Sequence, residues 1–130
     1  MTQHYFVISL GHSKKADDFI LFWRPDNCGY TFCVEKAGLY TEQQVLDSLG
    51  YYNSGDGTLA VPAAVINRLA NKMPCLFNAY DESGSYVLNH NAVWEAIIKA
   101  APFKTEYPLF GGSKERTKRF GKGFKLPSTA

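Results

Sequence analysis

The sequence predicts a single α+β domain: a curved, mostly antiparallel sheet of four to six strands, with about three short helices packed chiefly on one face. Three observations lead there. Residues 19–36 (FILFWRPDNCGYTFCVEK) place two β-prone runs on either side of a Pro-Asp-Asn-Cys-Gly turn, which is the sequence form of a β-hairpin. Thr41, with Gln44 three residues on, opens a short amphipathic run as a capping box. The connections between the early apolar runs are too short for crossover helices, so the first three strands should form an antiparallel meander.

Residues 5–10 (YFVISL) read as a buried first strand ended by Gly11. The outgoing arm of the hairpin, Phe19 to Trp23, is apolar without alternation and suits a strand covered on both faces. The return arm alternates, with Tyr30, Phe32 and Val34 on one side and Thr31, Cys33 and Glu35 on the other. Pro25 presets φ for the turn, Asp26 and Asn27 can bond back to the backbone, and Gly29 can take the left-handed position. The first helix should span residues 42–49, with Tyr40 and Val45 as a hydrophobic staple and Gly50 as its C′ residue.

A turn-rich loop, YYNSGDG, then leads into a brief strand at residues 58–61. Pro62 fits the first position of a second helix that runs to about Asn71, with Val65, Ile66 and Leu69 inward. Residues 75–80 read as another strand, 81–85 as a turn, and 86–88 as the arm that pairs back. Asn89 should cap a third helix whose Val93, Trp94, Ile97 and Ile98 share one face. Residues 103–110 form an irregular aromatic segment able to pack over the body. The globular domain is expected to end there, at 1–110, and residues 111–130 to form a basic, mobile tail.

Composition limits the function classes. The 130 residues are 45% hydrophobic and 20% charged, an ordinary globular balance with a high aromatic share of 15%. No apolar run approaches the roughly 20 residues of a membrane span, and the first residues lack the features of a secretory signal. Three cysteines without metal-type spacing argue for reduced thiols in a cytoplasm. The net charge of +2 hides an asymmetry: from Gly111 onward six cations meet one carboxylate, +5, which leaves −3 on the first 110 residues (8 basic, 11 acidic).

Few residues offer chemistry. Close-spaced Cys or His pairs of the kind that bind zinc do not occur, so no metal or cofactor is expected. A site assembled from His4, His12, Asp17 and Asp18 is conceivable, but a solvated loop is the plainer reading. Cys33 and Cys75 read as small core hydrophobes, and Cys28, in the turn beside Arg24, is the one candidate thiolate. Residues 53–58 (NSGDGT) resemble a phosphate loop, but they run from a helix into a strand and bring an aspartate where such loops bring a lysine. In the C-terminal segment Lys114, Arg116, Lys118, Arg119, Lys122 and Lys125 interleave with Phe120 and Phe124. Cations that pair with phosphates release counterions and exposed aromatics stack on unpaired bases, which would make that a nucleic-acid-binding tail.

The runs FWRPDNCGYTF and LGYYNSGDGTLAVPAAVINRLA resemble short proteins of unassigned function encoded by bacteriophages and prophages, with a similarity that spans roughly residues 4–98. The resemblance implies a setting, the cytoplasm of an infected bacterium, where small proteins bind and block host machinery. It carries no catalytic signature and transfers no functional residues, and the basic tail lies outside it. The expected function is therefore non-enzymatic: binding and inhibition of a bacterial host protein, including a defence (anti-phage or CRISPR-type) nuclease complex. Tyr51, Tyr52 and Asp56 are its expected partner-binding residues, since exposed aromatics are common binding anchors. The alternative is a small nucleic-acid-binding module acting through the basic tail. A small enzyme or ligand-binding domain built on the loop at residues 51–58 is the third reading.

Overall fold

A computed structural model describes residues 3–73 and 84–124. In chain order its first elements are β1 (His4–Ser9), β2 (Phe22–Trp23), β3 (Tyr30–Thr31), β4 (Tyr40–Thr41), α1 (Glu42–Asp47), α2 (Leu49–Tyr52) and β5 (Thr58–Pro62). There follow α3 (Ala63–Leu69), β6 (Asn71–Met73), β7 (Gly84–Tyr86), α4 (Asn91–Ala100) and α5 (Ser113–Phe120). The architecture is α+β, with an antiparallel five-stranded sheet and a separate two-stranded ribbon.

β1 is the axis of the sheet because it is apolar on both faces, and every residue from Tyr5 to Ser9 is buried. β5 runs along one edge of it, from Tyr5↔Pro62 to Ser9↔Thr58. The other edge is shared, by β2 at Ile8↔Phe22 and by β4 at Tyr5↔Tyr40 and His4↔Thr41. β3 completes the expected meander through Phe22↔Thr31 and Trp23↔Tyr30. The outer edge of β5 is closed by a side chain: Ala60 N donates to Asn53 Oδ1 at 2.9 Å. That occupies a backbone donor that could otherwise recruit another strand.

The pleat splits the core. Phe6, Ile8, Phe22, Leu59 and Val61 point to one face, where Ile66 of α3, Trp94, Ile97 and Ile98 of α4, and Phe120 of α5 cover them. Tyr5, Val7 and Ala60 point to the other, under Val45 of α1 and Tyr52 of α2. The three longest helices thus share the larger core, and α1 and α2 close the smaller one. No helix among the described residues is long and apolar enough to cross a membrane.

Several boundaries differ from expectation for identifiable reasons. The return arm of the hairpin stops at Thr31, whose Oγ1 accepts from Cys33 N at 3.1 Å and takes that donor from the ladder. Val34–Lys36 then form a 3-10 turn, so the predicted alternation fails and Cys33 and Val34 are both buried. The Thr41–Gln44 capping box is present, with Gln44 N on Thr41 Oγ1 at 3.1 Å and Thr41 N on Gln44 Oε1 at 2.9 Å. The helix breaks at Ser48 (φ −145°, ψ 52°), and Gly50 sits inside α2 instead of ending a helix. Its missing Cβ leaves room for the Glu106 carboxylate.

Pro62 is the N-cap of α3, and that helix gives way to β6 at Asn71. His90, not Asn89, is the N-cap of α4. The Asn89 side chain donates instead to Lys14 O (3.0 Å) and Asp17 O (2.8 Å), and accepts from Trp94 Nε1 at 2.7 Å. β7 pairs with β6, while the strand expected at 75–80 and most of the following turn lie outside the described residues.

The largest correction concerns the C-terminal segment. Residues 113–120, expected as part of a mobile tail, form a helix whose Phe120 is 8% exposed. Phe120 meets Trp94 and Phe110 edge-on at 6.1 and 5.0 Å and stacks on Phe124 at 4.1 Å. The core therefore extends past Gly111, beyond the predicted domain end at residue 110.

Candidate interaction surface

The hairpin tip is pinned from below, and this fixes the aromatics around it. Asp26 (φ 58°) and Asn27 (φ 60°) take left-handed backbone, which Asp and Asn tolerate better than most residues. Tyr40 Oη donates to Arg24 O at 2.6 Å and accepts from Asn27 N at 3.1 Å. Tyr52 Oη donates to Asn27 Oδ1 at 3.2 Å. These bonds hold Trp23, the last residue before the turn, against α2.

Along the outside runs a row of rings. His12 lies on Tyr30 at 4.7 Å, Tyr30 faces Trp23 across the ladder, and Trp23 meets Tyr51 edge-on at 5.1 Å. Tyr51 is 54% exposed, Tyr30 44%, and Trp23 is half-buried. Trp23 Nε1 is buried and is the one buried side-chain polar atom without a hydrogen-bond partner among the described residues. Adjacent residues on one helical turn point in different directions, so Tyr51 and Tyr52 divide the work.

Of the three predicted partner-binding residues, Tyr51 and Asp56 are exposed. Tyr52 is not: at 8% exposure it belongs to the smaller core and cannot serve as an exposed anchor. Tyr30 and Trp23 were missed, although the hairpin pattern carried the signal. Pairing Arg24 N with Gly29 O across the turn (2.8 Å) necessarily places Trp23 opposite Tyr30.

The other candidates are accounted for structurally. A phosphate at residues 53–58 would need free backbone donors, but the loop uses its own. Ser54 N donates to Thr58 Oγ1, Gly55 N to Thr58 O, and Gly57 N and Thr58 N to Ser54 Oγ. His12 Nδ1 bonds Ser9 Oγ at 3.2 Å and Asp17 Oδ2 accepts from Lys14 N at 2.9 Å. No group of three His, Cys, Asp or Glu among the described residues could hold a metal ion.

Cys28 is exposed with Sγ on Asp26 O at 3.2 Å, while Arg24 Nε is committed to Tyr30 O. Burial pushes the Cys33 thiol up, which keeps it protonated and poorly nucleophilic. Its neighbour Glu35 is pulled down: burial opposes the charge, but Ser85 N and Oγ, both at 2.7 Å, stabilise it. Glu35 also lines a groove of about 660 Å³ beside His4, Phe6 and Asn67, but its carboxylate is already occupied by Ser85.

The predicted nucleic-acid set is divided by α5. Arg116 Nη1 donates to Leu109 O at 2.9 Å, and Arg119 Nη1 donates to Ser13 O at 2.7 Å. The Arg119 guanidinium lies 5.6–5.9 Å from the ring centres of Trp94, Phe110 and Phe120, and burial lowers its pKa against the favourable field of Asp17. Phe120 is buried and Phe124 half-buried. Lys114, Lys118 and Lys122 face solvent, Lys118 with Glu115 at 3.5 Å, and Lys125 lies outside the described residues.

No family model matches the chain, and no match was found among the curated proteins or the solved structures.

Proposed function

We propose that this chain is a non-enzymatic interaction protein that binds a bacterial host protein and blocks it. The observation that carries the reading is the row of rings formed by exposed Tyr51 and Tyr30 with half-buried Trp23 between them, held in place by Tyr40 and Tyr52 from beneath. Aromatic anchors fixed before binding lose little conformational freedom on docking, and such residues dominate interface energetics. The phage setting, the infected bacterial cytoplasm and a defence nuclease complex as target rest on the sequence resemblance alone. Asp56 belongs to the proposed surface through its loop, which Thr58 Oγ1 ties to Tyr51 O at 2.8 Å.

The test is affinity capture from a bacterial lysate with the full chain and with Tyr51→Ala and Tyr30→Ala. Capture of a defined protein, resistant to nuclease and lost in both variants, is the expected result. Nuclease-sensitive capture that disappears when Lys114, Lys118 and Lys122 are replaced by Gln would favour the nucleic-acid alternative. That alternative draws on one feature of the fold: Lys15 Nζ donates to Lys118 O at 3.3 Å, which brings a fourth lysine to the end of α5.

A further inference from the structure

The sheet separates the charge of the molecule as well as its core, and the separation indicates what kind of surface the aromatic row fits. α5 brings its lysines and arginines to the face that carries the larger core. The opposite face is covered by α1, which carries Glu42 and Asp47 and no cation, and by α2, which carries no charge at all.

Two more carboxylates flank the rings on that side. Glu106 lies beside Gly50, the residue before Tyr51. Asp26 is exposed at the hairpin tip, next to Asn27, whose N donates to Tyr40 Oη at 3.1 Å and whose Oδ1 accepts from Tyr52 Oη at 3.2 Å. Two cations stand against these four carboxylates, Arg24, whose Nε donates to Tyr30 O, and exposed Lys104, two residues before Glu106, so the charge on this side stays negative.

From this arrangement we infer that the aromatic row docks a cationic segment of a partner protein, with an arginine or lysine side chain lying across Tyr51 and Trp23 between Asp26 and Glu106. The inference rests on the interaction-surface reading above and adds the partner's chemistry. Electron-rich ring faces attract cations, Trp and Tyr most strongly, and flanking carboxylates raise the local concentration of a positive ligand. The chain already uses this chemistry internally, where Arg119 lies among Trp94, Phe110 and Phe120.

The test uses the full-length chain and two fluorescein-labelled peptides of equal length, one alternating Arg and Gly, the other Glu and Gly, followed by anisotropy. The Arg peptide should bind and the Glu peptide should not. Affinity for the Arg peptide should weaken about tenfold in the Asp26→Asn/Glu106→Gln double variant and fall with added salt. Asn keeps the left-handed backbone that Asp26 adopts, so the substitution tests charge. Tyr51→Ala should weaken binding comparably. Glu95→Gln, on an exposed position of α4, should leave it within about twofold.

Equal binding of both peptides, or equal loss in Glu95→Gln and in the double variant, would overturn the inference. So would lysate capture that depends on Tyr51 but responds to neither salt nor the charge variants; in that case the docking surface would stand and its charge assignment would fall.

Discussion

Arg119 Nη2 donates to Asn89 Oδ1 at 2.9 Å, the same oxygen that accepts from Trp94 Nε1 at 2.7 Å. With Nη1 on Ser13 O, one guanidinium joins α5, the start of α4 and the loop after β1. Hydrogen bonds to a charged group contribute more than neutral ones, so Arg119→Ala should cost about 1.5–3 kcal/mol. It should also deprotect the α5 amides in hydrogen exchange. Lys118→Ala removes a solvent-exposed i,i+3 ion pair and should change stability by less than about 0.5 kcal/mol. Equal melting of the two variants would show that Arg119 does not hold α5, which would then rest on Phe120, Arg116 and the Asn91 bond to Phe120 O.

That helix was legible in principle. Arg116, Arg119 and Phe120 recur at i, i+3 and i+4, the spacing of one helical face, and all three turn inward. The density of charge around them pointed to a solvated tail, because a buried arginine is rare unless its partners are known. Here those partners, Ser13 and Asn89, lie far away in sequence. By contrast the capping box at Thr41, the hairpin turn and the brief strand at residues 58–61 are local, and each is present. The choice between Tyr51 and Tyr52 was not local: it depends on Asn27 and Tyr40, which receive Tyr52.

Trp23 and Trp94 should respond differently to substitution. Trp94 is fully buried, and Trp94→Ala should cost about 3–5 kcal/mol. Trp23 is only half-buried, so Trp23→Ala should cost less, although the apolar run at residues 19–23 suits a strand covered on both faces. Trp23→Phe removes the unpaired Nε1 donor, whose burial costs about 1–3 kcal/mol, at the expense of some ring contact. The two effects should leave Trp23→Phe within about 1 kcal/mol of wild type in urea melts. A large loss would mean that Nε1 finds an acceptor in solution.

Glu35 sets an acid limit. Its folded pKa lies below its ordinary value despite the opposing effect of burial, because Ser85 N and Oγ bond the charged form. A depressed carboxylate contributes its stability above the unfolded pKa, about 4.3, and loses it as pH falls through the folded value. Wild type should therefore lose stability below about pH 4 faster than Glu35→Gln, which has nothing to protonate there. Parallel acid melts for the two would place the acid sensitivity elsewhere.

Tyr5 sets the alkaline limit by the opposite sign. Its ring is buried in the smaller core, and its Oη donates to Glu42 Oε1 at 3.0 Å. Burial, then the hydrogen bond and charge of Glu42, push its pKa up to about 12. A raised acid is stabilised in its neutral form, so the contribution is complete below the unfolded value of about 10 and is lost as pH climbs towards the folded one. Stability should thus decline between about pH 10 and 12. Tyr5→Phe keeps the ring and should flatten part of that decline. A residual slope is expected from Tyr40, whose pKa burial also raises against the bond from Asn27. Glu42→Gln keeps an acceptor oxygen but removes the charge; it should lower the folded value, so that the decline ends at a lower pH and is smaller, without abolishing the shift, since burial is the larger cause. Stability measured against pH for the three proteins decides the matter: an unchanged slope in Tyr5→Phe would assign the alkaline loss to the other raised acids, Tyr40 and Cys33.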